Sequence, residues 1–172
     1  MVFARVFCLM ISVIPKCNAR SHVLLGCYSN FTFLKGASHP DEMVATAAAL
    51  GWSTIGIADV NSMAGIVRAH VAARDHHIRL LVGARLRPVD GPDVLVHPCD
   101  REGYEGLSML LSEANMRGSK AAPALYLADL ARLPESTTLL AMPPRHPNAH
   151  YQAHLQTIRK IAKGQLFAGI CL

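Results

Sequence analysis

From Leu24 onward, apolar runs of strand length alternate with stretches whose apolar positions recur at helical spacing. A first strand ends near Cys27. Ser38 is placed to cap the helix that follows, Pro40 suits its first turn, and Asp41 and Glu42 complement the positive end of its dipole. Met43, Ala47 and Leu50 then repeat on one helical face, and Gly51 supplies the stop. Residues 52–58 read as a buried strand. Residues 62–75 read as a helix with Met63, Ile66, Val67, His70 and Val71 near one face, and residues 78–86 as the next strand. The pattern continues with a strand at 93–97 and a helix at 101–115 that turns Tyr104, Leu107, Leu110 and Leu111 inward. A short helix at 126–133, a strand at 137–142, a helix at 150–163 and a strand at 166–171 complete it. Six strands alternating with about five helices predict an α/β fold with a parallel sheet and right-handed crossovers. Periodicity alone leaves open whether the sheet is open or part of a barrel.

With 172 residues the chain suits one domain, and 51% hydrophobic against 17% charged side chains argue against disorder. The net charge of +5 invites a nucleic-acid reading, but Arg5, Lys16 and Arg20 lie in a leader without acids. The rest carries 14 basic against 12 acidic side chains, too even for a dense phosphate-binding face. Cys8, Cys17, Cys27, Cys99 and Cys171 show no C-x-x-C and no regular spacing, which fits reduced thiols in a cytoplasmic protein. The apolar stretch at 2–14 is too short to cross a bilayer as a helix. Residues 1–21 are read as a leader, either a thin secretory signal or a non-native extension, and residues 22–172 as the domain.

The candidate chemistry lies where strands meet loops. The first strand and its loop read Leu25-Gly26-Cys27-Tyr28-Ser29-Asn30-Phe31-Thr32-Phe33-Leu34-Lys35-Gly36-Ala37, and the second strand ends in Ala58-Asp59-Val60-Asn61-Ser62-Met63-Ala64-Gly65. In order and wording these segments resemble the PHP (polymerase and histidinol phosphatase) domain of bacterial DNA polymerase III alpha subunits, most closely the error-prone branch. The resemblance covers 25–172 and implies a distorted (β/α)7 barrel, incomplete here at its C-terminus. It also implies a metal site in active relatives, built from an H-x-H pair, a D-H pair and a glutamate. Ser29, Leu34, Gly36 and Ala37 set the register, which puts Gly26 and Tyr28 at the H-x-H positions, Asp59 and Val60 at the D-H pair, and Arg85 at the glutamate. Glycine and valine offer no donor atom, a phenol is a poor ligand unless ionised, and arginine reverses the local charge. Only Asp59 keeps a ligand-type side chain, so no intact metal site and no cofactor are expected, although active relatives use divalent metal. Asp59 is instead expected to cap backbone amides, with an ion pair to Arg85 as a further expectation.

Other constellations add little. His150 and His154 stand four apart on a helix, but Tyr151, Gln152 and Ala153 between them do not complete an H-E-x-x-H. His76 and His77 fall in a turn, and His97 closes a strand. Phosphate-binding glycine loops and the nucleophile elbow do not occur. The resemblance implies that DNA synthesis and repair belong to a full-length polymerase, whose catalytic carboxylates are not in this sequence. Catalytic residues are therefore not expected here, and whether the chain is an enzyme is left undecided. The implied partners are the remainder of the polymerase chain and its replication and repair proteins, with DNA reached only through the full-length protein and no membrane. A stand-alone phosphoesterase and a non-functional truncated gene product are the alternatives.

Overall fold

The computed structural model describes residues 23–118, 122–144 and 146–169. The leader, together with Cys8, Cys17 and Cys171, lies outside these residues. The chain divides into two compact units, residues 1–83 and 84–172.

The first unit holds β1 (Leu24–Cys27), α1 (Pro40–Ala49), β2 (Thr54–Val60), α2 (Ile66–Asp75) and the opening residues of β3 (Arg79–Leu86). β1 and β2 pair in parallel, Leu24 opposite Ile55 and Cys27 opposite Ile57, with an irregularity between. Gly56 permits this approach, since a Cβ there would lie 2.8 Å from the carbonyl oxygens of Leu24 and Leu25. Leu24, Cys27, Val44, Ala47, Ile55, Ile57, Ile66, Ala69 and Ala73 form one buried cluster. The cap of α1 is His39 rather than Ser38, because Pro40 occupies N1 and the Glu42 carboxylate accepts from the His39 N–H at 2.9 Å. The helices are rotated from expectation. Val44 and Ala47 are inward on α1 while Leu50 is exposed, and α2 buries Ile66, Ala69 and Ala73 while Val67 and Val71 face outward. Small alanines at the contact let these helices lie close, which an apolarity count does not register.

The second unit holds the end of β3, β4 (Val94–Pro98), α3 (Arg101–Arg117), a 3-10 turn (Leu127–Arg132), β5 (Thr137–Ala141), α4 (Ala149–Ile161) and β6 (Gln165–Ala168). The expectation of a parallel sheet is corrected in part here. β3–β4 and β4–β5 are antiparallel, and only β5–β6 pairs in parallel. Between β3 and β4 the chain carries Pro88, Asp90, Gly91 and Pro92 and no helix, and so short a link makes a hairpin rather than a crossover. α3 also differs from expectation, with Tyr104 41% exposed and Gly103, Leu107, Leu110, Leu111 and Ala114 inward. Gly103 is the contact point, where a Cβ would meet the Ser136 carbonyl at 2.7 Å.

Asp129 anchors the 3-10 turn. It is buried, binds Arg117 through both oxygens at 3.0 and 2.7 Å, and accepts from the Tyr126 N–H at 2.9 Å. Burial opposes its ionisation, but the Arg117 guanidinium and the Tyr126 N–H outweigh it, and its carboxyl titrates below the ordinary range. A carboxyl depressed in the folded state contributes stability above its unfolded value of about 3.9, and that contribution is lost as pH falls through the lower folded value. Arg117→Ala should therefore lower the urea midpoint at neutral pH, and the loss should shrink below about pH 4.

Candidate functional site

The sheet in the first unit presents two parallel strand ends, and the loops after them carry the family-type positions. β1 ends at Cys27, and residues 29–37 form a tight loop. Within it the Thr32 N–H donates to the Ser29 carbonyl at 2.9 Å, and the N–H groups of Lys35 and Gly36 donate to the Thr32 carbonyl at 3.1 and 2.9 Å. Asn30 ties the base of the loop to the Ser38 carbonyl at 2.9 Å. Gly36 is packed against Ser29, so that a Cβ would fall 1.9 Å from the Ser29 oxygen.

Asp59, near the end of β2, holds this loop. It is 1% exposed. Its Oδ1 accepts from the Ser29 N–H at 2.8 Å and the Thr32 hydroxyl at 2.7 Å, and its Oδ2 accepts from the Ser29 hydroxyl at 2.7 Å. The Thr32 hydroxyl in turn accepts from the Val60 N–H at 3.0 Å. Ser29 and Thr32 are themselves buried. Asp59 thus bonds a backbone amide, but one in the loop after β1 rather than at the start of α2. A Cβ on Gly65 would come within 3.0 Å of Asp59 Oδ2, Ser29 Oγ and Pro40 Cγ, so the carboxylate is enclosed by packed atoms.

The other family positions carry different chemistry. Gly26 lies in β1 and Tyr28 just beyond it, both partly buried, and Val60 ends β2. Arg85 belongs to β3, where its Nε donates to Asp93 Oδ2 at 2.7 Å, and Arg87 shares the same carboxylate at 3.2 Å. Each of the two side chains expected to pair with the other has partners within its own unit, Asp59 in Ser29 and Thr32 and Arg85 in Asp93. A divalent metal does not fit the family positions of the first unit: Gly26 and Val60 supply no donor, the Tyr28 phenol is a poor ligand unless ionised, and Asp59 is engaged through both oxygens. No group of three or more His, Cys, Asp and Glu among the described residues is arranged to hold a metal ion.

In the second unit an open depression of about 620 Å³ is lined by Arg85, Asp93, His150, Tyr151 and His154, among others. The two imidazole rings stand 4.1 Å apart between centroids. Tyr151 donates to the Ala141 carbonyl at 3.2 Å, and burial pushes its phenol up. His97 pairs opposite Thr138 near the start of β5, because the hairpin reverses β4; it therefore lies at the end of these strands away from Arg85 and Ala141. His76 and His77 are exposed after α2. Cys27 is buried and Cys99 exposed, and neither is in a disulfide. No helix among the described residues is long and apolar enough to cross a membrane.

The partners of Asp59 escaped the sequence reading. Ser29 fixes only a register in the sequence and Thr32 belongs to no motif there, although two hydroxyl side chains beside a tight loop signal competition for buried acceptors.

These features define an α/β domain whose strand-end loops match one family in order, and comparison with known proteins agrees. The sequence profile of the PHP domain matches residues 25–168, and the chain belongs to that family. Over 152 residues it is 41% identical to an error-prone DNA polymerase of Rhodopseudomonas palustris (strain BisB5), covering 85% of this chain and 14% of the relative. Over 122 residues it is 45% identical to the error-prone DNA polymerase of Sinorhizobium medicae (strain WSM419), covering 70% of this chain and 11% of that protein. The chain thus spans about a seventh or less of the length of these relatives. Among solved structures, a proposed metal-dependent phosphoesterase from Bifidobacterium adolescentis aligns with a TM-score of 0.65 at 15% identity, covering 87% of this chain and 77% of that one. An amidohydrolase from Chromobacterium violaceum, solved with sulfate and no metal, aligns with a TM-score of 0.63 at 14% identity, covering 84% of this chain and 75% of that one. At such identities the likeness concerns the fold, which is the PHP-type α/β architecture expected.

Proposed function

We propose that this chain serves as the PHP domain of an error-prone DNA polymerase, in a structural rather than a hydrolytic capacity. The observation that carries the reading is the state of Asp59. The one ligand-type side chain at the family's metal positions spends both oxygens on Ser29 and Thr32, and so joins the loop after β1 to the end of β2. A phosphoesterase of this architecture needs several imidazoles and carboxylates converging on metal, and Gly26, Tyr28, Val60 and Arg85 do not supply them. Template-directed synthesis and lesion bypass would then belong to the polymerase portion, which also makes the DNA contacts. The chain would carry no resident cofactor and would work in the cytoplasm, where its thiols stay reduced.

A segment exchange tests this. With residues 25–168 replacing the matching segment of the Rhodopseudomonas palustris polymerase, the chimera should extend a primed template at a rate within a few-fold of the parent. The isolated chain, assayed with Mn²⁺ or Zn²⁺ on simple phosphate esters, should show no turnover above the metal blank. An inactive chimera together with metal-dependent hydrolysis by the chain would reverse the assignment.

A further inference from the structure

The loop that Asp59 secures has an apolar tip. Phe33 and Leu34 are 84% and 89% exposed, the two most exposed large apolar side chains among the described residues, and Phe31 beside them is 40% exposed. Leu34 also adopts φ 63, a left-handed conformation that costs a β-carbon residue roughly 1–2 kcal/mol. Neither feature helps this domain fold by itself.

The loop nonetheless enforces both. Thr32 is fixed through its N–H, its carbonyl and its hydroxyl, Gly36 closes on Ser29 where no side chain fits, and the base is tied to Ser38. Backbone strain that the surroundings over-determine marks a place where the conformation itself is used. A rigid aromatic-aliphatic pair presented on such a loop has the form of an anchor: it enters a pocket without the entropy cost of ordering a flexible segment.

Building on the polymerase reading, we infer that the Phe33–Leu34 tip is a docking anchor that seats in an apolar pocket on the remainder of the polymerase chain. The relatives supply the reason for this occupant. About six-sevenths of the Rhodopseudomonas palustris relative's length lies outside the matched segment, and on the polymerase reading this body of chain supplies the surface that the exposed tip would meet. The tip carries no acid, and apolar contact is the chemistry it offers.

The same chimera tests the inference. The paired substitution Phe33→Ser and Leu34→Asn removes the apolar surface and keeps the loop, because asparagine tolerates the left-handed backbone. The paired variant should lose heat-challenged primer-extension activity at least about tenfold faster than the chimera with the native tip. Phe33→Leu alone should largely preserve the native half-life, and Val67→Ser, exposed elsewhere in the same unit, should leave it unchanged. The isolated chain carrying the pair should unfold in urea at the parent midpoint or above it. Equal half-lives for native and substituted tips in an active chimera would overturn the anchor and leave the polymerase reading standing. A matching loss in the isolated chain would assign the tip to the domain's own fold and overturn it too. A native-tip chimera that extends no primer would remove the polymerase reading, and the anchor with it.

Discussion

Asp59→Ala is expected to destabilise the protein by about 3–4 kcal/mol, read as a lower urea midpoint at unchanged slope. The substitution strands the Ser29 N–H, the Ser29 hydroxyl and the Thr32 hydroxyl, all of which now donate to Asp59 from buried positions. An unmade hydrogen bond at a buried donor costs about 1–3 kcal/mol, and hydroxyls can turn to other acceptors, so the total falls short of a simple sum. The Thr32 hydroxyl also receives the Val60 N–H, which carries the damage into the end of β2. Asp59→Asn keeps an oxygen for two of the donors and turns an amide toward the third, so its cost should be nearer 1–2 kcal/mol, that is, about half. The ordering matters more than either value. A carboxylate kept for a cation would be costly in the metal-free protein, and its removal would leave stability unchanged or raise it.

The second large effect is expected at Gly36. Gly36→Ala places a methyl 1.9 Å from the Ser29 carbonyl oxygen and 2.4 Å from its carbon. Both are backbone atoms, so no rotamer change relieves the overlap and the loop must open. Opening breaks the Gly36 and Lys35 bonds to the Thr32 carbonyl and draws Thr32 away from Asp59. A loss of about 3 kcal/mol or more follows from overpacking combined with broken buried hydrogen bonds. Gly51 is the contrasting position. It has φ 76, but a methyl at its Cα would meet nothing within 4 Å, so Gly51→Ala should cost only about 1 kcal/mol of backbone strain. Because Gly36 and Asp59 act on one loop, the double variant Gly36→Ala with Asp59→Ala should lose clearly less than the two single losses combined.

Much of the fold was legible because the relevant signals are local. Pro40 with the acids after it, Gly51, and the strand-length apolar runs each mark an element by short-range chemistry, and the elements lie close to where those marks put them. Ser29, Leu34, Gly36 and Ala37 likewise located the loop after β1 and, through it, the positions of Gly26 and Tyr28. What was not legible depends on approach between distant residues. The reversal of β4 follows from a short link whose hairpin geometry is not written in strand periodicity. The outward turn of Tyr104 follows from Gly103 meeting Ser136, a contact across the fold. The role of Asp59 depends on donors 27 and 30 residues away, which no spacing rule reaches.

Whether Asp59 fastens a loop or seats a cation is tested most directly by unfolding the wild-type chain and Asp59→Asn in urea across a Mn²⁺ titration. Loop fastening predicts a wild-type midpoint that stays level as Mn²⁺ rises, with the variant below it by the same margin throughout. A wild-type midpoint that climbs with Mn²⁺, and a climb that vanishes in Asp59→Asn, would contradict it.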